Sequence, residues 1–188
     1  TKNIVNEVIK HNIKWFFFSS TSHVYYYSKK KISEKFELKP LSYYGYTKKK
    51  AESYIEKKLK KKNNIQYCIG RIFSISNKSQ KKNFLIPDLK KKIKNKKKII
   101  LLKNLNHYRD FISTKDLAKI IIFLYKKKFK GIINLGSGEA THLKEIANIL
   151  AKKYKKKIKF KDNTKPTYLI ANVSKLKNKS LNTFFNLL

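Results

Sequence analysis

Apolar residues along this 188-residue chain fall alternately at helical spacing and in short unbroken runs. Residues 2–12 carry Ile4, Val5, Val8 and Ile9 three and four apart, which predicts an amphipathic helix. The run Trp15–Ser19 then reads as a buried strand. Residues 46–62 hold Ala51, Tyr54, Ile55 and Leu59 on one stripe and predict a strong amphipathic helix, with Ile65–Arg71 as the next strand. Phe84–Asn95 reads as a helix whose Pro87 lies near its start, where proline is tolerated. Thr114 or Ser113 caps a helix over 115–127, and Ile132–Leu135 is a short strand. Thr141 opens a helix through Tyr154 that carries Leu143, Ile146, Ala147, Leu150 and Ala151. Ile158–Phe160 is a last short strand, and the tail from Lys175 has little pattern. No repeat and no Pro/Gly/Ser linker divides the chain. Alternating strands and helices predict an α/β fold with a mainly parallel sheet.

Composition changes this picture through charge. The formal net charge of +36 invites a nucleic-acid reading. Of 47 basic residues, however, only Arg71 and Arg109 are arginine, leaving 45 lysines spread along the chain in runs such as Lys48–Lys50, Lys90–Lys92 and Lys155–Lys157. Phosphate-binding surfaces favour the bidentate guanidinium fork, often with interleaved aromatics. Lysines scattered over helix-like stretches instead describe solvated faces, so specific nucleic-acid binding is not expected. The bias toward Lys, Asn, Ile, Phe and Tyr matches an AT-rich genome, and it turns the scarce residues into markers: Gly45, Gly70, Gly131, Gly136, Gly138 and the two arginines. Cys68 is the only cysteine, which fits a reducing cytoplasm and allows no disulfide framework. The longest apolar runs are far too short to cross a bilayer, and no signal peptide is read. The first residue is Thr, which suggests a chain beginning inside a longer protein. The four histidines show no metal-ligand spacing and Cys68 sits in a predicted strand, so no metal site is expected.

The candidate chemistry centres on Tyr44-Gly45-Tyr46-Thr47-Lys48, with Tyr44 lying 23 residues after Thr21. A Tyr and a Lys four apart on a helix share a face. A free phenol titrates near ~10 and is a poor base at neutral pH, but an adjacent ammonium favours the phenolate and brings a phenol toward acid–base work. A hydroxyl just beyond the apolar run Trp15–Phe18 is suited to hold the reacting oxygen beside that phenol. In so Tyr- and Lys-rich a chain the same spacing also arises by chance.

The company it keeps decides between these readings. Phe16–Tyr25 resembles a strand ending in Ser-Ser-x-x-x-Val-Tyr-Gly. Tyr44–Lys48 with Glu52 resembles Tyr-Gly-x-x-Lys-x-x-x-Glu, and Arg71–Ser74 resembles Arg-x-Phe-Asn. Tyr108–Ile112 with Asp116 resembles Arg-Asp-Phe-Ile-x-x-x-Asp, and Asn134–Gly138 resembles the Asn-hydrophobic-Gly-Ser/Gly-Gly segment. In this order, across roughly residues 1–175, they resemble the extended short-chain dehydrogenase/reductases, the NAD-dependent epimerase/dehydratases of nucleotide sugars.

The resemblance implies the C-terminal part of a Rossmann-like doubly wound parallel sheet plus a small α/β substrate-binding region. Residues 1–80 would form the C-terminal half of the Rossmann-like domain, and 81–188 mostly the substrate-binding region, with 108–128 returning to the first domain. It implies Thr21, Tyr44 and Lys48 as catalytic residues, with Ser19, Tyr44 and Lys48 at an NAD or NADP cofactor. Thr21, Ser74 and Arg109 would meet a nucleotide-sugar substrate, Arg109 at its diphosphate, unless Arg109 pairs with Asp110 or Asp116 instead. Ser74 replaces the usual Asn and Tyr26 a frequent Gly, which puts the contact at Ser74 and the loop after the catalytic strand in doubt. Glu52 reads as a helix-surface ion-pair partner. His23 reads equally as a cleft residue or a surface one. Gly136-Ser137-Gly138 reads as a tight turn into the following helix rather than a phosphate loop. The helix over 46–62 is a candidate homodimer surface, although packing on the sheet explains its stripe equally well.

Ser22 and His23 stand where 4,6-dehydratases of the family carry Asp-Glu, which disfavours dehydration and leaves a 4-epimerase or a 4-keto-sugar reductase. The family's glycine-rich dinucleotide turn has no counterpart here, so the expectation is an N-terminally truncated enzyme that binds NAD(P) weakly by itself. The alternatives are a fold-retaining binding protein without turnover and, less favoured, a lysine-rich nucleic-acid binder.

Overall fold

The computed structural model describes residues 1–77, 80–81 and 84–177. The chain begins with α1 (Lys2–Lys10), β1 (Trp15–Thr21), a 3-10 turn (Ser22–Val24), α2 (Tyr43–Leu59), β2 (Gln66–Ile72) and β3 (Ser74–Ser76). Then come α3 (Leu85–Ile93), β4 (Ile99–Lys103), β5 (His107–Arg109), β6 (Phe111–Ser113), α4 (Thr114–Lys126) and β7 (Gly131–Leu135). The last elements are β8 (Thr141–His142), α5 (Leu143–Lys153), β9 (Lys157–Lys161), β10 (Thr167–Leu169) and α6 (Ser174–Lys177). The predicted tail beyond Lys177 lies outside the described residues.

The main sheet has the order β1-β2-β7 with both pairs parallel. Its register sorts residues by face, since alternate side chains point to opposite sides. Phe16 lies opposite Tyr67 and Phe18 opposite Ile69, and this face packs Val5 and Val8 of α1 and Ile55 and Leu59 of α2. On the other face Cys68, Ile72, Ile133 and Leu135 pack against Leu117, Ile120 and Leu124 of α4. Helices therefore cover both faces of a parallel sheet, the doubly wound arrangement expected from alternating elements. Burial pushes the Cys68 thiol up to about 12, so the lone cysteine acts as a small core residue.

A second core forms away from this sheet. β4 and β9 pair in parallel, and their inward residues Ile100, Leu102, Ile158 and Phe160 meet Leu89 and Ile93 of α3 and Leu143, Ala147 and Leu150 of α5. β5 sits between β10 and β8, parallel to the first and antiparallel to the second, while β3 pairs with β6.

Local signals account for most boundaries, and the starts of α2 and α5 differ from the sequence reading. α2 starts at Tyr43, earlier than residue 46, because the Ser42 hydroxyl accepts the Gly45 N–H at 3.1 Å and caps the helix there. Of the two caps read for α4, Ser113 is the one used: its hydroxyl accepts the Asp116 N–H at 3.0 Å and donates to the Asp116 carboxylate at 2.5 Å. Thr141 does not open α5, because it pairs with Arg109 in the β5–β8 ladder and the helix starts at Leu143.

The turn Gly136-Ser137-Gly138 closes around the fully buried Asp110. That carboxylate accepts the Ser137 N–H and hydroxyl, both at 2.7 Å, the Gly138 N–H at 2.9 Å and the Ala171 N–H at 3.1 Å. The turn's amides thus hold a carboxylate of their own chain, which accounts for the sequence better than a phosphate loop does. A Cβ at Gly136 would fall 2.5 Å from Asp110 Oδ2 and 3.0 Å from the Ala171 Cβ. Neither neighbour can yield without breaking these bonds, so Gly136→Ala is expected to destabilise the fold by about 1–3 kcal/mol, as overpacked sites do. Urea unfolding followed by circular dichroism checks this.

Candidate active site

The carboxyl ends of β1 and β2 open into a cleft of about 690 Å³ facing the second core. Thr21, His23, Tyr44, Ile72, Ser74, Phe84, Leu85, Arg109 and Phe111 are among the residues that line it. Thr21, Tyr44, Ser74 and Arg109, named from the sequence as separate segments, are thereby brought to one cavity.

Each is set by its local chain. Thr21 ends β1, and its hydroxyl accepts the His23 N–H at 3.3 Å, capping the 3-10 turn. That turn presses on the first turn of α2, where a Cβ at Gly45 would lie 2.2 Å from the His23 carbonyl oxygen. Only glycine permits this approach, which brings Tyr44 beside the end of β1. The Tyr44 side chain is 53% exposed toward the cleft, and the His23 ring stands edge-on to it with centroids 6.2 Å apart.

Lys48, one turn later, extends back along the same face. Its Nζ donates to the Ser19 carbonyl at 2.7 Å and lies 4.9 Å from the Phe18 ring centre and 5.8 Å from that of Tyr44. Burial lowers the Lys48 pKa, and the nearby Glu52 carboxylate opposes that shift. Ser19, Tyr44 and Lys48, the three residues expected at a cofactor, are thus brought together at the end of β1.

Arg109 forms no ion pair with Asp110 or Asp116 among the described residues. Its guanidinium donates to the Tyr108 carbonyl at 2.8 Å, to the Thr167 carbonyl at 3.1 Å and to the Thr167 hydroxyl at 3.0 Å. It also stacks 5.1 Å from the centre of the Tyr27 ring. Neutral partners thus hold it in place and leave its charge uncancelled. Tyr27 and Thr167 are site residues the sequence reading missed; nothing in the run Tyr25–Tyr27 distinguishes the last. Tyr26, the family's frequent glycine, is exposed and lies under Lys39.

Glu52 departs most from expectation. Far from the surface, it is 1% exposed and paired with Arg71, itself 2% exposed, at 2.7 Å. Among the described residues no group of three His, Cys, Asp or Glu is placed to hold a metal ion, and no helix is long and apolar enough to cross a membrane.

His23 is exposed at the cleft rim, yet the atoms around its ring desolvate it. This burial first, and the Arg109 charge second, lower its pKa. The ring is neutral at pH 7, and Arg109→Gln is expected to raise its titration midpoint part of the way back toward the ordinary histidine value. Proton NMR titration of the His23 ring checks this, and a midpoint that stays put would show that the two groups do not sense each other.

Among curated proteins the chain is 29% identical over 143 residues to an uncharacterized UDP-glucose epimerase, YtcB, of Bacillus subtilis, covering 75% of this chain and 45% of that protein. It thus spans about half the length of that relative. Among solved structures it is similar to a UDP-N-acetylglucosamine 4-epimerase from Methanobrevibacter ruminantium bound to UDP-N-acetylmuramic acid. That likeness has a TM-score of 0.83 at 23% identity, covering 98% of this chain and 64% of the other. It is similar also to a dTDP-glucose 4,6-dehydratase from Bacillus anthracis in complex with NAD, with a TM-score of 0.82 at 21% identity, covering 94% and 58%. These structural likenesses carry the fold. The profile of the NAD dependent epimerase/dehydratase family matches residues 1–136, a stretch that takes in every strand of the main sheet. The chain belongs to that family.

Proposed function

We propose that these 188 residues carry the catalytic and substrate-facing part of an NAD(P)-dependent enzyme that modifies a nucleotide sugar by 4-epimerisation or 4-keto reduction. The observation that carries this reading is the convergence of Thr21, Tyr44 and Arg109 on one cleft, with the Lys48 ammonium 5.8 Å from the centre of the Tyr44 ring. The name of the Bacillus subtilis relative favours the epimerase of the two. Ser22 and His23, in place of an Asp-Glu pair, weigh against elimination of water.

The residues present fit one end of the cofactor. The Lys48 ammonium has three N–H donors and spends one on the Ser19 carbonyl, leaving two for the hydroxyls of a ribose. When bound, the nicotinamide accepts or returns a hydride at the sugar carbon. Tyr44 moves the matching proton at the oxygen of that carbon, and Thr21 donates or accepts a hydrogen bond at the same oxygen to hold it in line. Arg109 binds the substrate diphosphate with the donors that Tyr108 and Thr167 leave open. At the pyrophosphate end of the cofactor the fit stops. The sequence has no glycine-rich dinucleotide turn, and the amides of Gly136-Ser137-Gly138 are spent on Asp110. Tight cofactor binding then depends on residues outside this sequence.

Two outcomes are expected. In the whole enzyme, Tyr44→Phe lowers turnover by about 10²–10⁴-fold, the usual size of a lost proton-transfer group, with the circular dichroism spectrum unchanged. Undiminished turnover would remove Tyr44 from the mechanism. Interconversion of nucleotide sugars without net NADPH consumption identifies an epimerase, and consumption with a keto sugar identifies a reductase. The 188 residues alone are expected to bind NAD(P) weakly by calorimetry, and tight binding would refute the division of the cofactor site.

A further inference from the structure

The buried pair of Glu52 and Arg71 begins one helical turn from Lys48. In the main sheet Ser20, Arg71 and Asn134 occupy one row across β1, β2 and β7, all buried on the face that α2 covers. Glu52 drops into this row from α2. It accepts from Arg71 Nε at 3.1 and 3.2 Å, from Arg71 Nη2 at 2.7 Å, and from the Ser20 hydroxyl. Arg71 Nη1 donates to the Tyr25 hydroxyl at 2.7 Å and the Glu34 carbonyl at 3.1 Å, and the Tyr25 hydroxyl donates to Asn134 Oδ1 at 2.8 Å. Every heavy donor and acceptor of the pair is thereby engaged.

Lys48 precedes Glu52 by four residues on the same helix face, the spacing at which a lysine and a glutamate normally close on each other. Here they do not: no ion pair joins them, and the ammonium turns to the Ser19 carbonyl instead. A planar guanidinium meeting a carboxylate with several parallel bonds outcompetes an ammonium for it. A fully buried ion pair is also a weak device for stability alone, since apolar residues of equal volume often serve as well. Its position beneath Lys48 gives it a different use.

We infer that Glu52 and Arg71 form a positioning device for Lys48, in which Arg71 holds the Glu52 carboxylate and so restrains it from drawing the Lys48 ammonium away from Ser19 and Tyr44. The inference rests on the proposed function only in taking Lys48 as the residue that faces the cofactor. Glu52 and Arg71 touch neither reacting group and act through Lys48.

The two halves of the pair then act on Lys48 with opposite signs. The groups around its ammonium are few: Glu52 and Tyr44 from α2, the uncharged Phe18 ring and Ser19 carbonyl from β1, Arg71 behind Glu52 from β2, and His23 beyond Tyr44. Burial works against the charged form and Glu52 works for it. Glu52→Gln removes the favourable charge and is expected to lower the Lys48 titration midpoint. Arg71→Met frees the carboxylate to approach Lys48 and is expected to raise it.

The test is NMR titration of the Lys48 side chain in the full chain labelled at lysine Cε, with its resonance identified by its loss in Lys48→Arg. Opposite shifts in Glu52→Gln and Arg71→Met are required by the device but follow also from simple loss of charge, so Arg71→Lys, which keeps the charge and removes the planar fork, decides. With Arg71→Lys a raised midpoint, from a carboxylate freed to approach Lys48, bears out the device, whereas an unmoved or lowered midpoint there, or shifts of the same sign in the first two variants, overturns it. Should Glu52→Gln or Arg71→Met fail to fold, Arg71→Lys, the mildest of the three, carries the test alone. The readout needs no turnover, so an inactive Tyr44→Phe enzyme or an unexpected substrate leaves the test intact, and an unmoved Lys48 defeats the inference whatever the activity.

Discussion

The bidentate contact between Arg71 and Glu52 is the constraint on which the rest of the site depends. Burying either charge alone would cost several kcal/mol, so each fixes the position of the other. Through that pair α2 is locked to β2, the Ser20 hydroxyl locks β1 to α2, and Tyr25 and Asn134 carry the lock to β7 and the loop after the 3-10 turn. Below this polar row the same face of the sheet is apolar, with Phe16, Phe18, Tyr67 and Ile69 under α1 and α2. Hydrophobic burial thus holds α2 against the sheet without fixing how far it slides along the strands. The polar row sets that last degree of freedom, and with it the height of Tyr44 and Lys48 above the end of β1.

The parts of this arrangement that were readable beforehand are those encoded locally. Helical spacing over α1, α2, α4 and α5 and the apolar runs of β1, β2 and β7 are properties of contiguous residues. So are the Tyr44-to-Lys48 spacing and the serine cap of α4. Strands β3, β5, β6 and β10 are three residues each, too short for a period to show, and β4 is an apolar run of Ile99–Leu102 embedded among lysines. They exist because distant segments supply their partners, as when Thr141 joins Arg109 instead of starting a helix. Glu52 was misread for the same reason. On the helix wheel it looks like any acidic residue among lysines, and its burial follows only once β1, β2 and β7 bring Ser20, Arg71 and Asn134 into register. Scarcity was the usable clue: in a chain with 45 lysines, both arginines proved to be held in defined geometry.

The large positive charge has little to do with this site. The lysines that line helix faces and strand edges, such as Lys157, Lys159 and Lys161 on the outer side of β9, are exposed and alternate with inward apolar residues. Exposed charges of this kind keep a protein soluble and are screened within about 10 Å at ordinary salt. The charges that matter lie at Lys48, Arg71 and Arg109, where partial or full burial gives each a specific neighbour.

Arg109 and Asp110, adjacent in sequence and opposite in charge, would ordinarily neutralise one another. They do not, because their side chains take separate partners, Asp110 just past the end of β5 and Arg109 within it. The Asp110 charge is spread over three backbone amides and one hydroxyl at the rear, while Arg109 meets only uncharged partners at the front. The segment is electrically two-sided, with its negative end insulated inside the protein and its positive end open to the cleft. The Gly-Ser-Gly turn therefore gives an anion-seeking surface without touching any anion from solution: by absorbing the neighbouring carboxylate, it leaves the guanidinium unopposed.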